Sequence, residues 1–436
     1  MARHHERGIH ELYEADPERA DWLVFGRKSN ADRRGFLRGA GLGTMGLALG
    51  AAIPFANRMP GGVIPAAFAM TPDEFVLQGK DGLIVMNDRP INLETPPHLL
   101  DPDITPIQHF FVRNNGLVPE MTEDPDSWTL TIDGEVDNEL TLTLAELKSA
   151  FEPVTMQVVI ECGGNGRAGF EPSPRGNQWT IGAVGNGEFT GVRLADVLNR
   201  AGVKPSAVYT GHYGADPHLS MEEGRPALSR GIPIEKALDP ETLLVWGMNG
   251  EDLPLAHGYP LRIVVPGFIG SANQKWLNRI WIRDQEHDGP GMTGLSYRMP
   301  RFPVEPGAEV ADEDMEVLTL LRIKSLITRP ETGSEVAAAE PLRVRGHAWS
   351  GETDVANVEV SMDFGVTWQA TEFAASPNKY AWATFEADVA FPEAGYYEIW
   401  ARATDSEGVS QPMVVPGWNP RGYGNNSTHR IAVTAV

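Results

Sequence analysis

Cysteine is almost absent from this chain, which has a single one, Cys162, among 436 residues. The sequence therefore excludes an intramolecular disulfide and a zinc site built from several thiolates. It also lacks a Cys-x-x-Cys-His motif, which excludes c-type haem in this chain. No glycine-rich fingerprint precedes a helix as nucleotide cofactors require, so such cofactors are not indicated. The lone thiol is either a small buried apolar group or a reactive or metal-binding one.

Basic residues are scarce relative to acidic ones: 36 lysines and arginines face 59 aspartates and glutamates, for a formal net charge of −23. An acidic surface repels phosphate backbones, so nucleic-acid binding is not expected. The charge suits docking to basic partners, or simply solubility. No apolar run makes a convincing membrane span, so stable membrane insertion is not expected either. The length and the 42% hydrophobic content are typical of a globular protein with two or three domains.

Residues 1–69 have the pattern of a targeting segment rather than of a folded domain. Arg33 and Arg34 form a twin-arginine element, a weakly apolar run follows from Gly39 to Ala56, and Ala67-Phe68-Ala69 fits a small-x-small cleavage site. A buried Gly/Ala helix is the alternative. The pattern predicts a twin-arginine signal peptide, export of an already folded protein, and a periplasmic location. Export in the folded state is a first hint of a large cofactor.

Residues 70–306 mix strand-like and helical patterns, which predicts an α+β domain. Val154–Ile160 alternates as a strand does, and Leu194–Leu198 lies in a helical pattern that ends near Gly202. Two further buried strands are predicted at Leu261–Val265 and Ile280–Ile282.

The pattern changes after a proline-rich segment, Arg298–Gly307, which we interpret as a linker. Short alternating strands then recur at Leu342–Gly346, Val358–Met362 and Tyr396–Ala403, separated by turn signals. Residues 307–436 are therefore predicted to form an immunoglobulin-like β-sandwich, without the paired cysteines of antibody domains.

The segment around Cys162 has the residue types of a metal or redox site. A β-rich run leads into Cys162-Gly163-Gly164-Asn165-Gly166-Arg167. Glycines beside a thiol let a bulky group approach the backbone, and Arg167 supplies positive charge that favours a thiolate. A structural buried cysteine is the alternative at this point.

Two other segments place cations among apolar or glycine residues. Arg113 follows two phenylalanines and a valine and precedes two asparagines, so its guanidinium is expected to need an anion, either a carboxylate or a ligand. The segments His257–Arg262 and Pro266–Trp276 combine His, Arg, Ser and Lys with glycines, as a phosphate or polar pterin contact requires. A salt bridge in the first case and a solvated loop in the second are the alternatives.

Taken together, these motifs resemble the sulfite oxidase family of molybdenum enzymes, from about Asp101 to the C-terminus. The motifs that carry the resemblance are Phe111–Asn114, Glu161–Arg167, Trp179–Leu194, Trp246–Gly250, His257–Gly267, Lys275–Leu277 and, in the second domain, Trp418–Gly422. Among the branches of the family, the chain looks most like the molybdopterin subunit of the sulfane dehydrogenase of the bacterial Sox system, with stand-alone bacterial sulfite dehydrogenases close. The stretch Pro290–Pro300 and the glycine after Cys162 suggest that branch.

The resemblance implies a molybdenum–molybdopterin cofactor and a role for individual residues. Cys162 matches the thiolate ligand of the metal, a soft anionic sulfur. The catalytic positions it implies are Arg113 and Arg167 for the substrate oxyanion, Trp179 for the pocket, Tyr297 near the metal, and Arg421 donated by the second domain. The residues that match pterin-contact positions are Asn114, Asn115, Asp216, His257, Arg262, Ser271 and Lys275. Asn115 stands where many members have a histidine.

The activity implied is oxidation of sulfite, or of a sulfane sulfur bound to a carrier protein, by oxygen-atom transfer in the periplasm. We expect no haem in this chain, so electrons would pass to a separate c-type cytochrome, as an acceptor or as a subunit. The resemblance also implies a homodimer through the second domain, or a heterotetramer with a cytochrome. The alternatives are a molybdenum reductase for sulfoxide or nitrate on the same fold, and a non-enzymatic periplasmic binding protein.

Overall fold

The computed structural model describes residues 53–54, 69–70, 77–121 and 123–436. The chain divides into two units, Met1–Phe75 and Val76–Val436. In the first, strand β1 (Ile53–Pro54) pairs in parallel with β2 (Ala69–Met70). The twin-arginine element lies outside the described residues, so the signal peptide stays a prediction.

Three sheets of the second unit form its α+β part. The first contains β3 (Ile84–Asp88), β4 (Ile91–Glu94) and β5 (Val112–Arg113), in that order. The second has the order β10-β14-β6-β7, with β14 parallel to β6; these strands are β6 (Thr129–Gly134), β7 (Leu140–Thr143), β10 (Tyr209–Gly214) and β14 (Leu277–Arg283). The third has the order β12-β11-β9-β8, with β13 also on β11; its strands are β8 (Pro153–Glu161), β9 (Val184–Arg193), β11 (Leu243–Met248), β12 (Glu251–Asp252) and β13 (Arg262–Val264).

Three short α-helices accompany these sheets: α1 (Leu144–Ala150), α2 (Leu194–Ala201) and α3 (Ile234–Ala237). Thr143 and Glu146 form a capping box at the start of α1. Helix α2 ends where predicted, because Gly202 takes a left-handed φ of 75° at its C-terminus. Among the described residues, no helix is both long enough and apolar enough to span a membrane.

The C-terminal part is the predicted β-sandwich. One sheet has the order β17-β19-β23-β22, made of β17 (Lys324–Arg329), β19 (Leu342–Trp349), β22 (Glu372–Ala374) and β23 (Ala383–Val389). The other has the order β18-β25-β24-β20-β21, made of β18 (Ser334–Val336), β20 (Val355–Ser361), β21 (Gln369–Ala370), β24 (Gly395–Asp405) and β25 (His429–Ala435). Alternate residues of both sheets, such as Val344, Phe385 and Ile399, are buried in one shared core.

The predicted linker at Arg298–Gly307 is in part a strand. Its first residues form β15 (Arg298–Pro300), which pairs antiparallel with β16 (Met315–Val317). Local proline content predicted a break, but the pairing partner lies beyond the segment and could not be read from it. This hairpin directly follows Tyr297, and so it fixes a residue of the candidate site.

Candidate active site

Cys162 follows the last residue of β8 and is buried, with 7% of its surface exposed. Its backbone N–H donates to Ala183 O at 2.9 Å, and its carbonyl accepts from Asn165 N at 2.8 Å. The thiol lies in the wall of a cavity of about 680 Å³ that is also lined by all seven predicted cofactor residues. This cavity is called the first cavity below.

The residue before Cys162 ties this strand end to the sandwich. The Glu161 carboxylate accepts from Lys324 Nζ at 2.7 Å, from Trp349 Nε1 at 2.8 Å and from Asn165 Nδ2 at 2.9 Å. All four side chains are buried. A buried carboxylate with a cation and two further donors is well compensated, so it fixes the position of the neighbouring thiol.

Arg113 ends β5 and lines the first cavity without a carboxylate partner among the described residues. Its Nη2 donates to Asn115 Oδ1 at 2.7 Å and to Tyr297 Oη at 3.3 Å, and the Tyr297 hydroxyl donates to the same Asn115 oxygen at 2.9 Å. Burial by itself would lower the pKa of Arg113, but the neighbouring Tyr297 and Cys162 groups outweigh burial and raise the pKa. The salt-bridge alternative for this arginine is therefore not what the structure shows.

Tyr297 is held in a conformation that few tyrosines adopt. Its φ of 57° lies in the left-handed region, where a side chain is strained. Its N–H donates to Tyr423 Oη at 3.1 Å, and its carbonyl accepts from the fully buried Arg230 at 3.2 Å. These contacts, with the stacking of Tyr297 on Tyr423 at 5.7 Å, aim the hydroxyl at Arg113 and Asn115.

Arg167 is buried and held by backbone carbonyls, not by acidic groups. Its Nε donates to Arg421 O at 2.6 Å and its Nη1 donates to Asn177 O at 2.7 Å. Burial lowers its pKa. A Cβ on Gly164 would lie 2.2 Å from its guanidinium, so the group that approaches this glycine is Arg167 itself.

A second cavity, of about 530 Å³, adjoins the first and shares the wall that contains Cys162. Four arginines and no carboxylate line it. Arg175 is exposed at its edge, whereas Arg113 and Arg167 lie deeper. The arginines of this second cavity are Arg113, Arg167, Arg175 and Arg421. Positive charge concentrated in an otherwise acidic protein makes this cavity a site for an anion.

The far side of the first cavity holds buried cations. Lys275 Nζ donates to Asn114 Oδ1 and, at 2.8 Å, to Ala256 O, while Arg262 Nη1 donates to the carbonyl of His257 at 2.9 Å. Burial lowers the pKa of Arg262 to about 9 and that of Lys275 well below its ordinary value. Neither cation forms an ion pair in the described structure, and burying an unpaired cation is costly, so this side favours an anionic ligand.

One carboxylate, Asp216, also lines the first cavity. Burial raises its pKa to about 6, against the opposing effect of the Lys275 ammonium. Several buried polar atoms of lining residues have no hydrogen-bond partner in the described structure: Asn114 Nδ2, Ser271 Oγ, Arg262 Nε and Gln274 Oε1. Unpaired buried groups cost about 1–3 kcal/mol each. A polar ligand in the first cavity would satisfy them.

Of the predicted site residues, twelve line the two cavities and Trp179 does not. Trp179 is fully buried in the apolar cluster that contains Cys162, and its Nε1 has no partner in the described structure. The residues that follow it are held by Glu94. The Oε1 atom of this carboxylate accepts from three backbone N–H groups, at Thr180, Ile181 and Gly182. Trp179 therefore belongs to the apolar packing around Cys162 and lines neither cavity.

Sequence reasoning missed several residues of the site. Arg175, Gln274 and Tyr423 each lie within a few positions of a motif that was recognised, and proximity could have indicated them. Arg230 and Lys80 lie outside every motif. Their contacts with Tyr297 and His257 span 67 and 177 positions, so only the fold brings them to the site.

This chain is similar to known proteins over most of its length. Residues 115–290 match the family model of the oxidoreductase molybdopterin binding domain, and residues 315–436 match that of the Mo-co oxidoreductase dimerisation domain. The chain is 34% identical to sulfite oxidase of Gallus gallus over 360 residues, covering 80% of this chain and 77% of that protein. It is 30% identical to sulfite oxidase of Arabidopsis thaliana, covering 86% and 98%. The crystal structure of the sulfane dehydrogenase SoxCD from Paracoccus pantotrophus matches with a TM-score of 0.65 at 26% identity, covering 86% of this chain and 93% of that chain.

Proposed function

We propose that this chain, which belongs to the sulfite oxidase family, is a periplasmic dehydrogenase. As a molybdopterin-dependent oxidoreductase acting on sulfur compounds, it would oxidise sulfite or a carrier-bound sulfane sulfur. For sulfite, the balanced half-reaction joins one water oxygen to sulfur, giving sulfate, two protons and two electrons. The electrons would leave one at a time to a c-type cytochrome. Membership of this family sets aside the non-enzymatic binding protein considered above.

Its cofactor is molybdenum–molybdopterin, and the first cavity fits that group. The fit rests on the buried cations, the unpaired polar atoms and the thiol that line one continuous space. When bound, the cofactor supplies the metal centre that exchanges an oxygen atom and two electrons with sulfur. Cys162 would hold the metal through its thiolate. The residues that would hold the pterin and its phosphate are Asn114, Asn115, Asp216, His257, Arg262, Ser271 and Lys275.

The observation that carries the proposed substrate is the second cavity. Its arginines face no carboxylate there, and the cavity meets the wall formed by Cys162. Arg113 and Arg167 would orient an anionic sulfur compound beside that wall, since their positions are fixed before any substrate arrives. A neutral sulfoxide would leave these charges unmatched, which disfavours a sulfoxide reductase.

The edge of the second cavity supports a substrate that is presented from the protein surface. Exposed Arg175 at the edge would meet an anion before it reaches the buried arginines. A sulfane sulfur on the arm of a carrier protein fits this arrangement.

One assay separates the candidate substrates. Steady-state turnover of the purified enzyme is measured with sulfite and with a thiosulfate-loaded carrier protein, each with cytochrome c as the acceptor. Reduction of cytochrome c with either substrate supports a dehydrogenase, and the larger kcat/KM identifies its substrate. Methyl-viologen-driven reduction of a sulfoxide, without cytochrome c reduction by either sulfur compound, would establish the reductase instead.

A further inference from the structure

Lys80 contacts His257 at Nε2, and no motif predicted it. Its Nζ lies 2.5 Å from Ile107 O, 2.8 Å from Phe110 O and 2.6 Å from His257 Nε2. His257 lines the first cavity, whereas Lys80 does not. Any effect of Lys80 on the first cavity must therefore be exerted through His257.

When Lys80 is charged, the three contacts determine where the imidazole carries its proton. An ammonium group has three N–H donors and no lone pair, and a carbonyl oxygen can only accept. A charged Lys80 thus gives two N–H bonds to Ile107 and Phe110 and the third to His257 Nε2. That nitrogen must be unprotonated, so the neutral ring carries its hydrogen on Nδ1. In the described part of the chain, no protein group bonds to Nδ1.

Electrostatics keep the ring neutral. Burial first, and then the charges of Lys80, Lys275 and Arg262, lower the pKa of His257 well below its ordinary value. Burial also lowers the pKa of Lys80 to about 7. A neutral Lys80 would accept a hydrogen from Nε2 and leave a lone pair at Nδ1, which repels an anion. An anion in the first cavity therefore favours the charged lysine and the Nδ1–H ring together.

We propose that Lys80 is a positioning residue for the cofactor: by donating to His257 Nε2, it holds the imidazole with its hydrogen on Nδ1, where the ring donates to an anionic oxygen of molybdopterin. This role is distinct from that of Lys275 and Arg262, which line the first cavity themselves. It rests on the cofactor and not on which sulfur compound the enzyme oxidises.

The first test is the protonation pattern of His257 in the holoenzyme. Nitrogen-15 NMR of histidine-labelled protein is recorded at about pH 6, below the pKa of Lys80 of about 7, and the His257 signals are assigned with His257→Gln. We expect hydrogen on Nδ1 in the wild type and in Lys80→Arg, and loss of this preference in Lys80→Met. Hydrogen on Nε2 in the wild type would overturn the proposal, whatever the variants do.

The second test is release of the cofactor, followed as loss of protein-bound molybdenum after dilution. Loss of a residue that orients a ligand group typically weakens binding roughly 10- to 100-fold. We expect Lys80→Met to release molybdenum faster by about that factor, and Lys80→Arg to stay close to the wild type. The matched control is Lys236→Met, another buried lysine, whose contacts are Asp239, Glu352 and Tyr380.

Equal release from wild type and Lys80→Met would contradict the proposal, and so would equally fast release from Lys236→Met. The first result would show that His257 needs no support, and the second that any lost buried lysine loosens the protein. Neither result depends on the substrate assay, so failure here is distinguishable from failure of the proposed dehydrogenase activity.

Discussion

Arg113 is the single residue whose replacement most directly tests substrate binding. The guanidinium lines both cavities and has no acidic partner in the described structure. Arg113→Gln should raise KM for sulfite strongly and lower kcat less, because one lost charge-assisted bond costs about 1.5–3 kcal/mol, or roughly 10- to 100-fold in kcat/KM. Arg113→Lys should recover part of this, since an ammonium cannot form the bidentate fork.

Kinetics and melting temperature are measured on the same preparations of both Arg113 variants. Arg113 also donates to Asn115, so a small loss of stability is expected alongside the kinetic effect. A Tm lowered by several degrees with unchanged kcat/KM would instead assign a purely structural role to this arginine.

Asp216 makes the stability of the cofactor-free chain depend on pH. Its pKa is raised to about 6, mainly by burial, so the folded chain keeps this proton at pH values where the unfolded chain has lost it. The free energy of unfolding should then fall as pH rises from about 4 to about 6, by on the order of 2–3 kcal/mol. Asp216→Asn should remove this decline.

Urea unfolding of the wild type and Asp216→Asn across that pH range checks the expectation, with Asp284→Asn, at an exposed position, as the control. Parallel curves for the wild type and Asp216→Asn would show that Asp216 is not the group that titrates. The difference between curves is used because other groups titrate in both proteins.

At this scale, local sequence context singles out candidate residues that line the two cavities, and their catalytic roles stay predictions. Cys162, Arg113 and Arg167 could be predicted because glycines, aromatics and amides next to them are unusual neighbours for a thiol or a cation. Lys80 could not be, because its segment has no distinctive pattern and its partner His257 is distant in sequence. Contacts of this kind are decided by packing of the whole unit rather than by neighbours.

At the level of elements, the junction between β8 and β17 fixes the strand end that carries the thiol. Lys324 begins β17, and its ammonium pairs with Glu161 at 2.7 Å, with both side chains less than a tenth exposed. Lys324→Met should lower the free energy of unfolding by about 3–5 kcal/mol, because it leaves a buried carboxylate without its cation.

The matched control for Lys324→Met is Lys148→Met, which breaks a pair of similar length, 2.8 Å to Asp126, whose two side chains are 36% and 53% exposed. Exposed pairs are worth about 0–1 kcal/mol, so this variant should unfold almost as the wild type does. Equal losses in the two variants by denaturant unfolding would refute the role of the buried junction.

Elements themselves were predictable where their signals were local. Helix α2 and strand β8 were predicted because apolar periodicity and a terminal glycine lie within a few residues. The proline content around strand β15 predicts a linker, because the strand pairs with β16 and that pairing leaves no local signal. The junction of Glu161 with Lys324 also escaped prediction, since a charge in a β-rich run gives no sign of its partner across 163 positions.

For the whole molecule, the net charge does not show how unevenly the charged residues are distributed. The chain has a net charge of −23, yet the second cavity is lined by arginines and the first by several buried cations. An acidic exterior suits a basic electron acceptor, while the interior cations attract anionic ligands.

The assembly is the property that belongs to the whole molecule, and we predict a homodimer formed through residues 312–436. This part matches a dimerisation domain and exposes an apolar patch of Phe364, Val366, Met413 and Val414, of which Val366 is 81% exposed. Burying such a patch against a second copy would remove apolar surface from water.

Light scattering should give a dimer mass for the wild type and a monomer mass for the variant that combines Val366→Glu with Val414→Glu. The control is Val208→Glu, an exposed valine outside this part, which should stay dimeric. A fully active wild-type monomer would contradict the prediction, and a dimer in the double variant would place the interface away from the apolar patch.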